Sequence, residues 1–171
     1  TRKKDLKPWI RPILSLMNEC YLAGNIYGYA PLNEKEMDDL GAKYLPILDP
    51  RFVKAATKDG EVVGFVIAMP DLTEGIVKAR GRLFPFGFIK ILRAGKKTKQ
   101  LDLLLGAVRE TYRGQGVDAM MGFRMLQSAR DAGFEVLDTH HEMETNTKVR
   151  GLMEHMGGKI YKVFRAYQKP L

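Results

Sequence analysis

Cysteine is almost missing from this chain: Cys20 stands alone among 171 residues. One thiol excludes a disulfide framework and a multi-thiolate metal site. Long apolar runs are missing as well, and no stretch approaches the roughly 20 residues a helix needs to cross a bilayer. The N-terminus lacks the charged-then-apolar layout of a secretory signal. Together these absences point to a reducing cytoplasm. There is no internal repeat, low-complexity tract or linker. With 45% hydrophobic and 28% charged residues, the chain suits one α/β domain over 1–171 with a continuous core. It opens on Thr1, not Met, and so reads as a processed or trimmed piece of something longer.

Acids are absent from one long stretch. Between Gly75 and Leu101 stand Lys78, Arg80, Arg82, Lys90, Arg93, Lys96, Lys97 and Lys99, with Glu74 and Asp102 just outside. This segment carries the whole net charge of +8, and the rest of the chain sums to about neutral. Phe84, Phe86 and Phe88 lie among those cations. A solvated surface is the plain reading. An anionic membrane surface or an acidic acyl-carrier protein is the partner that 78–99 would grip. Nucleic acid ranks last, because no recognition motif accompanies the charge.

Apolar periodicity sets out the elements. Ile10, Ile13, Leu14, Met17, Cys20 and Tyr21 predict a helix over 9–23, with Pro8 near its start. Asn33 and Glu36 form a capping-box start for a second helix, which stops by Pro46. Residues 52–57 and 61–69, joined through Lys58-Asp59-Gly60, read as a β-hairpin. A helix after Leu72 and an aromatic turn at 84–88 follow. The unbroken apolar run Leu101 to Val108 reads as a strand covered on both faces. A helix from about Val117 to Ala132, a strand over 134–143, a helix from Thr145 or Asn146 to Met156 and a last strand over 160–168 complete the chain. Met120, Met121 and Met125 read as core filler.

The informative segment is strand, Arg113-Gly114-Gln115-Gly116, helix. A helix begins with unpartnered N–H groups and partial positive charge, and glycines let an anion approach those amides. A diphosphate fits such a place, with Arg113 adding a fixed charge. Gly114-Gln115-Gly116-Val117-Asp118-Ala119 matches the G-x-G-x-x-A form of a dinucleotide fingerprint, with Asp138 downstream. Against that reading, six residues separate Gly114 from the strand end at Ala107, and too little chain remains for the βαβ array the fingerprint needs.

Over most of its length the chain resembles the GNAT superfamily of acyl-CoA-dependent N-acyltransferases. That family's signature, Q/R-x-x-G-x-G/A, opens a helix after a central apolar strand, and Arg113 to Gly116 supply its first four positions, with Val117 fifth. The order of elements is similar, as is the block from Asn146 through Val149 and Leu152 to Gly157-Gly158. Pro70-Asp71-Leu72, the basic insertion over 72–100 and the tail from Tyr161 to Tyr167 resemble a bacterial subgroup of the superfamily.

The resemblance implies a mixed, mostly antiparallel, twisted sheet of six or seven strands. Helices would cover both faces, a central strand pair would splay apart, and a first strand at 1–6 would be degraded or absent. It implies that a pantetheine arm meets the backbone near Gly106 and Val108, and that the pyrophosphate rests on the amides of Arg113, Gly114, Gln115, Gly116 and Val117. The implied reaction transfers an acetyl group from acetyl-CoA to an amine acceptor by direct attack in a ternary complex, with no metal. The alternative is a non-catalytic acyl-CoA-binding or interaction module on the same fold. Two departures bear on that choice. Asp118 stands where Gly or Ala is usual, and Met153 stands where many relatives carry a proton-donating Tyr.

Glu142, Glu144 and Tyr161 are the remaining candidates for acid or base, each also explained by a solvated or packing role. Asn146 either contacts the cofactor or simply caps the helix it begins. His140 and His141 alternate to opposite faces, so a His-His-Glu metal cluster there does not converge.

Overall fold

The computed structural model describes residues 2–24, 26, 28–139, 141–167 and 169. Helix α1 (Lys3–Ala23) runs through Pro8 and Pro12 instead of starting at the first of them. Arg2 N–H donates to the Asp5 carboxylate at 2.8 Å and Asp5 N–H to Arg2 C=O at 2.9 Å, so the extra turn has its own closure. Leu6, buried, anchors that turn to the core. The charged residues 3–6 are therefore helical, and no first strand forms there.

Helix α2 (Glu34–Tyr44) starts at the capping box expected of it. Asn33 Oδ1 accepts from Glu36 N at 3.0 Å, and Glu36 Oε2 accepts from Asn33 N at 2.8 Å. Strands β1 (Val53–Lys58) and β2 (Glu61–Pro70) form the antiparallel hairpin. Asp59 and Gly60 both take positive φ, 51° and 84°, which matches the right-handed twist of the flanking strands.

Helices α3 (Thr73–Ala79) and α4 (Gly87–Lys97) form a helical hairpin between β2 and β3. The aromatic segment 84–88 is thus the lead-in to a helix that the sequence pattern does not announce. β3 (Gln100–Val108) pairs antiparallel with β2, helix α5 (Val117–Asp131) follows, and β4 (Val136–Asp138) pairs parallel with β3. The order is β1-β2-β3-β4, so the sheet is mixed and mostly antiparallel. Among the described residues it has four strands rather than six or seven. The strand expected over 134–143 is three residues long. The one expected over 160–168 is irregular from 160 to 167, and Gln168 lies outside the described residues. Helix α6 (Thr147–His155) lies between these two segments.

Two cores lie on opposite faces of the sheet. On one, α1 and α2 bury Ile13, Leu16, Met17, Cys20 and Met37 against Val62, Phe65 and Ile67. On the other, Met125 and Ala129 of α5 meet Ala68 and Leu101, closed by an edge-to-face contact between Phe52 and Phe134 at 5.4 Å. Alternation along β2 from Gly64 onward explains the division: Phe65 and Ile67 face α1, Val66 and Ala68 face α5, while Val63 stands extra against β1 and returns Val62 to the α1 side. Strand β3 does the same only because Leu104 is an extra residue. Ile67 pairs with Leu105 but Ala68 with Leu103, so Leu101 and Leu103 face α5 while Leu105 and Ala107 face α1.

Of the methionines expected to fill the core, Met121 and Met125 are buried. Met120 is 55% exposed, on the outer face of α5. The chain divides into two compact units, residues 1–139 and 140–171.

Candidate functional site

Pairing between β3 and β4 covers three residues and stops at Asp102 and Asp138. Beyond it β3 continues to Val108, beside a strand that has ended. The direction of its free backbone groups follows from the other edge. Arg109 N–H donates to Val63 C=O at 2.9 Å, which makes Val108–Gly64 a non-hydrogen-bonded pair. Val108 and Gly106 therefore turn their own N–H and C=O away from β2, toward the edge that β4 leaves open. Two side chains already reach those carbonyls: Arg113 Nε donates to Val108 at 3.0 Å, and the Tyr21 hydroxyl lies 3.5 Å from that of Gly106.

From that edge the chain makes a 3₁₀ turn (Glu110–Tyr112) and enters the glycine loop. Gly114 and Gly116 take φ of +74° and +78°, conformations that a side chain resists, and a Cβ at either would meet nothing within 4 Å. Gly116 is the N-cap of α5, and no side chain caps that terminus. Met120 N–H closes the first helical bond on Gly116 C=O at 2.9 Å, and the amides of Val117, Asp118 and Ala119 precede it. Residues 113–116 and Asp118 are exposed, and Val117 is half-buried. Close packing sets the helix in place. Gly64 of β2 lies under the first turns of α5, where a Cβ would come within 3.0 Å of Met121 and 3.2 Å of Val117.

Side chains around the loop turn back into the protein. Gln115 Nε2 donates to Thr111 C=O at 2.7 Å. Arg113, besides reaching Val108, lies beside the Cys20 thiol of α1. Burial and the neighbouring Glu19 push that thiol's pKa up, while Arg113 and Arg109 act to lower it. The loop thus offers an anion its backbone amides foremost, with Arg113 bracing α1 against β3.

Tyr21, which periodicity alone marks as a core residue, is the group that sequence reasoning passed over. It lies at the open edge, stacked edge-to-face on Tyr29 at 5.1 Å, and burial raises its pKa. A phenol held protonated donates hydrogen bonds. Asn18 fixes the loop that carries Tyr29: its amide donates to Leu32 C=O at 2.7 Å, and its oxygen accepts from Leu32 N–H at 3.0 Å and from the Tyr29 hydroxyl. Nothing at the level of sequence brings residues 18, 21, 29 and 106 together.

The structure therefore brings Gly106, Val108 and Arg113 to Val117 into one surface of the first unit. Glu142, Glu144, Asn146 and Tyr161 belong to the second. There Glu144 pairs with Arg165 at 3.1 Å, and Lys162 lies over the Tyr161 ring at 5.1 Å. Asn146 occupies the N-cap position of α6, but its side chain makes no capping bond. His141 stacks edge-to-face on Phe164 at 4.6 Å, and His140 lies outside the described residues. Among the described residues no group of three His, Cys, Asp or Glu side chains is placed to hold a metal ion.

Comparison with known structures shows the fold. A GCN5-related N-acetyltransferase from Kribbella flavida superposes with a TM-score of 0.59 at 21% identity, over 89% of this chain and 76% of that one. AAC(6')-Iy, solved with a CoA bisubstrate analogue, superposes with a TM-score of 0.54 at 15% identity, over 92% of each chain. The fold is that of the GCN5-related N-acetyltransferases.

In sequence, the chain is 27% identical over 168 residues to a bacterial ceramide synthase of Caulobacter vibrioides. That match takes in 95% of this chain, which spans 43% of the length of the curated relatives it matches. No protein-family model matches. No helix among the described residues is long and apolar enough to cross a membrane.

Proposed function

We propose that this chain transfers an acyl group from an acyl-CoA thioester to the amine of an amphiphilic acceptor. The observation that carries the reading is the uncapped start of α5 opening beside the unpaired edge of β3. A diphosphate would rest on the amides of Gly114 to Val117, and a pantetheine arm would extend β3 by bonding the backbone of Gly106 and Val108. Those residues fit the group: the glycines leave the space a Cβ would take, and both strand residues turn their polar atoms outward. An acyl carbonyl bound along that edge would be held where a neutral amine attacks it. The Tyr21 hydroxyl, 3.5 Å from the Gly106 carbonyl, would be the hydrogen-bond donor at that edge once the arm takes its place there.

Two features favour a lipid-like acceptor over a small polar one. The sequence relative is named a ceramide synthase, and a ceramide is the N-acyl amide of a long-chain amino alcohol. The chain also exposes apolar side chains on α5, at Met120 and Phe123. Acetyl-CoA is the simplest donor, and longer acyl-CoA thioesters share its diphosphate and pantetheine.

The test is a coupled pair of measurements on the 171-residue chain: thermal shift with CoA, then thiol release from acyl-CoAs of increasing length with a panel of amines that includes a long-chain amino alcohol. Stabilisation by CoA and amine-dependent thiol release are the expected results. No stabilisation by CoA overturns the reading. Stabilisation without release on any amine supports a second reading, a non-catalytic acyl-CoA-binding module, which Met153 favours because a thioether cannot donate a proton.

A further inference from the structure

The α3–α4 hairpin reverses the usual distribution of large and small residues. Its two helices pack through Gly75 and Ala79 on one side and Gly87 and Ala94 on the other. A Cβ at Gly75 would stand 2.5 Å from the Ile91 Cα and 2.9 Å from the Ala94 Cβ, and one at Gly87 would strike the Arg82 carbonyl. The backbones are thus as close as small residues allow, which is how helices associate where no hydrophobic drive separates inside from outside.

The larger apolar side chains are left on the outer surface. Ile76, Val77, Phe88 and Leu92 are exposed along the helices. The connection between them adds Leu83, Phe84 and Phe86, with Phe84 81% exposed. Phe84 and Phe88 lie 6.4 Å apart, so the tip is a continuous aromatic surface. Exposed apolar side chains gathered on one short hairpin in this number mark an interaction site.

Cations surround the patch. Lys78, Arg80, Arg82 and Lys90 line a recess of about 510 Å³ at the base of the tip, and Arg93, Lys96 and Lys97 continue along α4. The one acid of α3, Glu74, is paired with Lys78.

We propose that this hairpin docks the protein on an anionic lipid bilayer, with Leu83, Phe84 and Phe86 entering the interface and the recess taking lipid phosphates. Charge complementarity selects an anionic partner, and the exposed aliphatic and aromatic side chains select among anionic partners. A nucleic acid or an acidic protein face would satisfy the cations but leave Ile76, Val77 and Leu92 in water. At the headgroup level of a bilayer, phosphates and acyl chains lie within one side chain's reach of each other. The inference does not depend on the acyl-transfer reading.

The test is co-sedimentation of the 171-residue chain with phosphatidylcholine vesicles, with and without phosphatidylglycerol. Binding is expected with phosphatidylglycerol and not without it, weakening as salt is raised. Replacing Arg80, Arg82 and Lys90 together by Gln should lower partitioning at least about tenfold, each cation near the surface contributing about fivefold. Phe84→Ser with Phe86→Ser should also release the protein while leaving the charge intact. All five side chains are exposed, so unchanged melting and an unchanged thermal shift with CoA should accompany both variants. Absence of binding to the anionic vesicles, equal binding to neutral ones, or partitioning unchanged in either variant overturns the proposal. So does salt-sensitive binding to RNA or to an acidic carrier protein that survives loss of the two phenylalanines while vesicles are not bound. Should a variant fail to fold, the vesicle composition and salt dependence of the parent decide alone.

Discussion

Helices α2 and α5 begin in opposite ways. At α2 the chain satisfies itself, because Asn33 and Glu36 each bond the other's backbone N–H. At α5 a glycine stands at the cap, and among the described residues no side chain caps the amides. A cap of the first kind is worth about 1 kcal/mol. Its omission at α5 leaves amides and dipole available to an outside anion. The contrast separates a terminus built for stability from one built for binding.

The sharpest way to break the contrast is Gly116→Asp. A carboxylate at the cap would occupy the place of a diphosphate and repel it, and CoA affinity should fall by at least about a hundredfold, roughly 3 kcal/mol. The positive φ there adds about 1–2 kcal/mol of strain, so melting temperature and affinity are both to be measured. An unchanged affinity removes the proposed site.

Asn33→Ala should do the converse: lose about 1 kcal/mol of stability by denaturant unfolding while CoA binds as before. Asp118→Asn tests the departure within the loop. It should raise CoA affinity a few-fold by removing a like charge, while giving up about 0.3–1 kcal/mol of favourable helix-start electrostatics.

The smallest effect belongs to a third cap, Asp49, at the start of the 3₁₀ turn Pro50–Phe52, which accepts from Arg51 N–H at 2.9 Å and pairs with the Arg51 guanidinium at 2.8 Å. The Arg51 hydrogen bonds hold its carboxyl below the ordinary carboxylate range. Because the folded-state value is depressed, the stabilisation is complete above the unfolded value of about pH 3.9 and is lost as pH falls through the folded one. Partial exposure limits it to under about 1 kcal/mol. Asp49→Asn should abolish that acid-dependent loss, whereas Asn33→Ala, which keeps Asp49 and Arg51, should retain it in a pH series of denaturant unfolding.

These cases also show what a one-dimensional reading reaches. The capping box at Asn33, the turn at Asp59-Gly60 and the glycine loop are local, with causes within a few residues, and each is legible in the sequence. The alternation of β2 is legible for the same reason. Helix α4 is not, because its fully buried residues are glycine and alanine while Phe88 and Leu92 face outward, the reverse of the pattern that marks an amphipathic helix. The extension of α1 through two prolines is hidden too, since a bond between Arg2 and Asp5 and the burial of Leu6 outweigh the breakers. At the site, the loop was visible but its neighbours were not. Tyr21 meets Gly106 across 85 positions of sequence, and no periodicity reports such a meeting.

Leu104 has a further bearing on how this chain tolerates change. It divides one strand between two clients: the residues before it serve the α5 layer, and those after it serve the α1 layer. Were Leu104 taken into a regular register instead of standing extra, Leu101, Leu103, Leu105 and Ala107 would all fall on one face, and the other layer would lose its half of the strand. The same offset keeps Gly106 and Val108 aimed at the free edge, which ties the architecture of both cores to the presentation of two backbone amides.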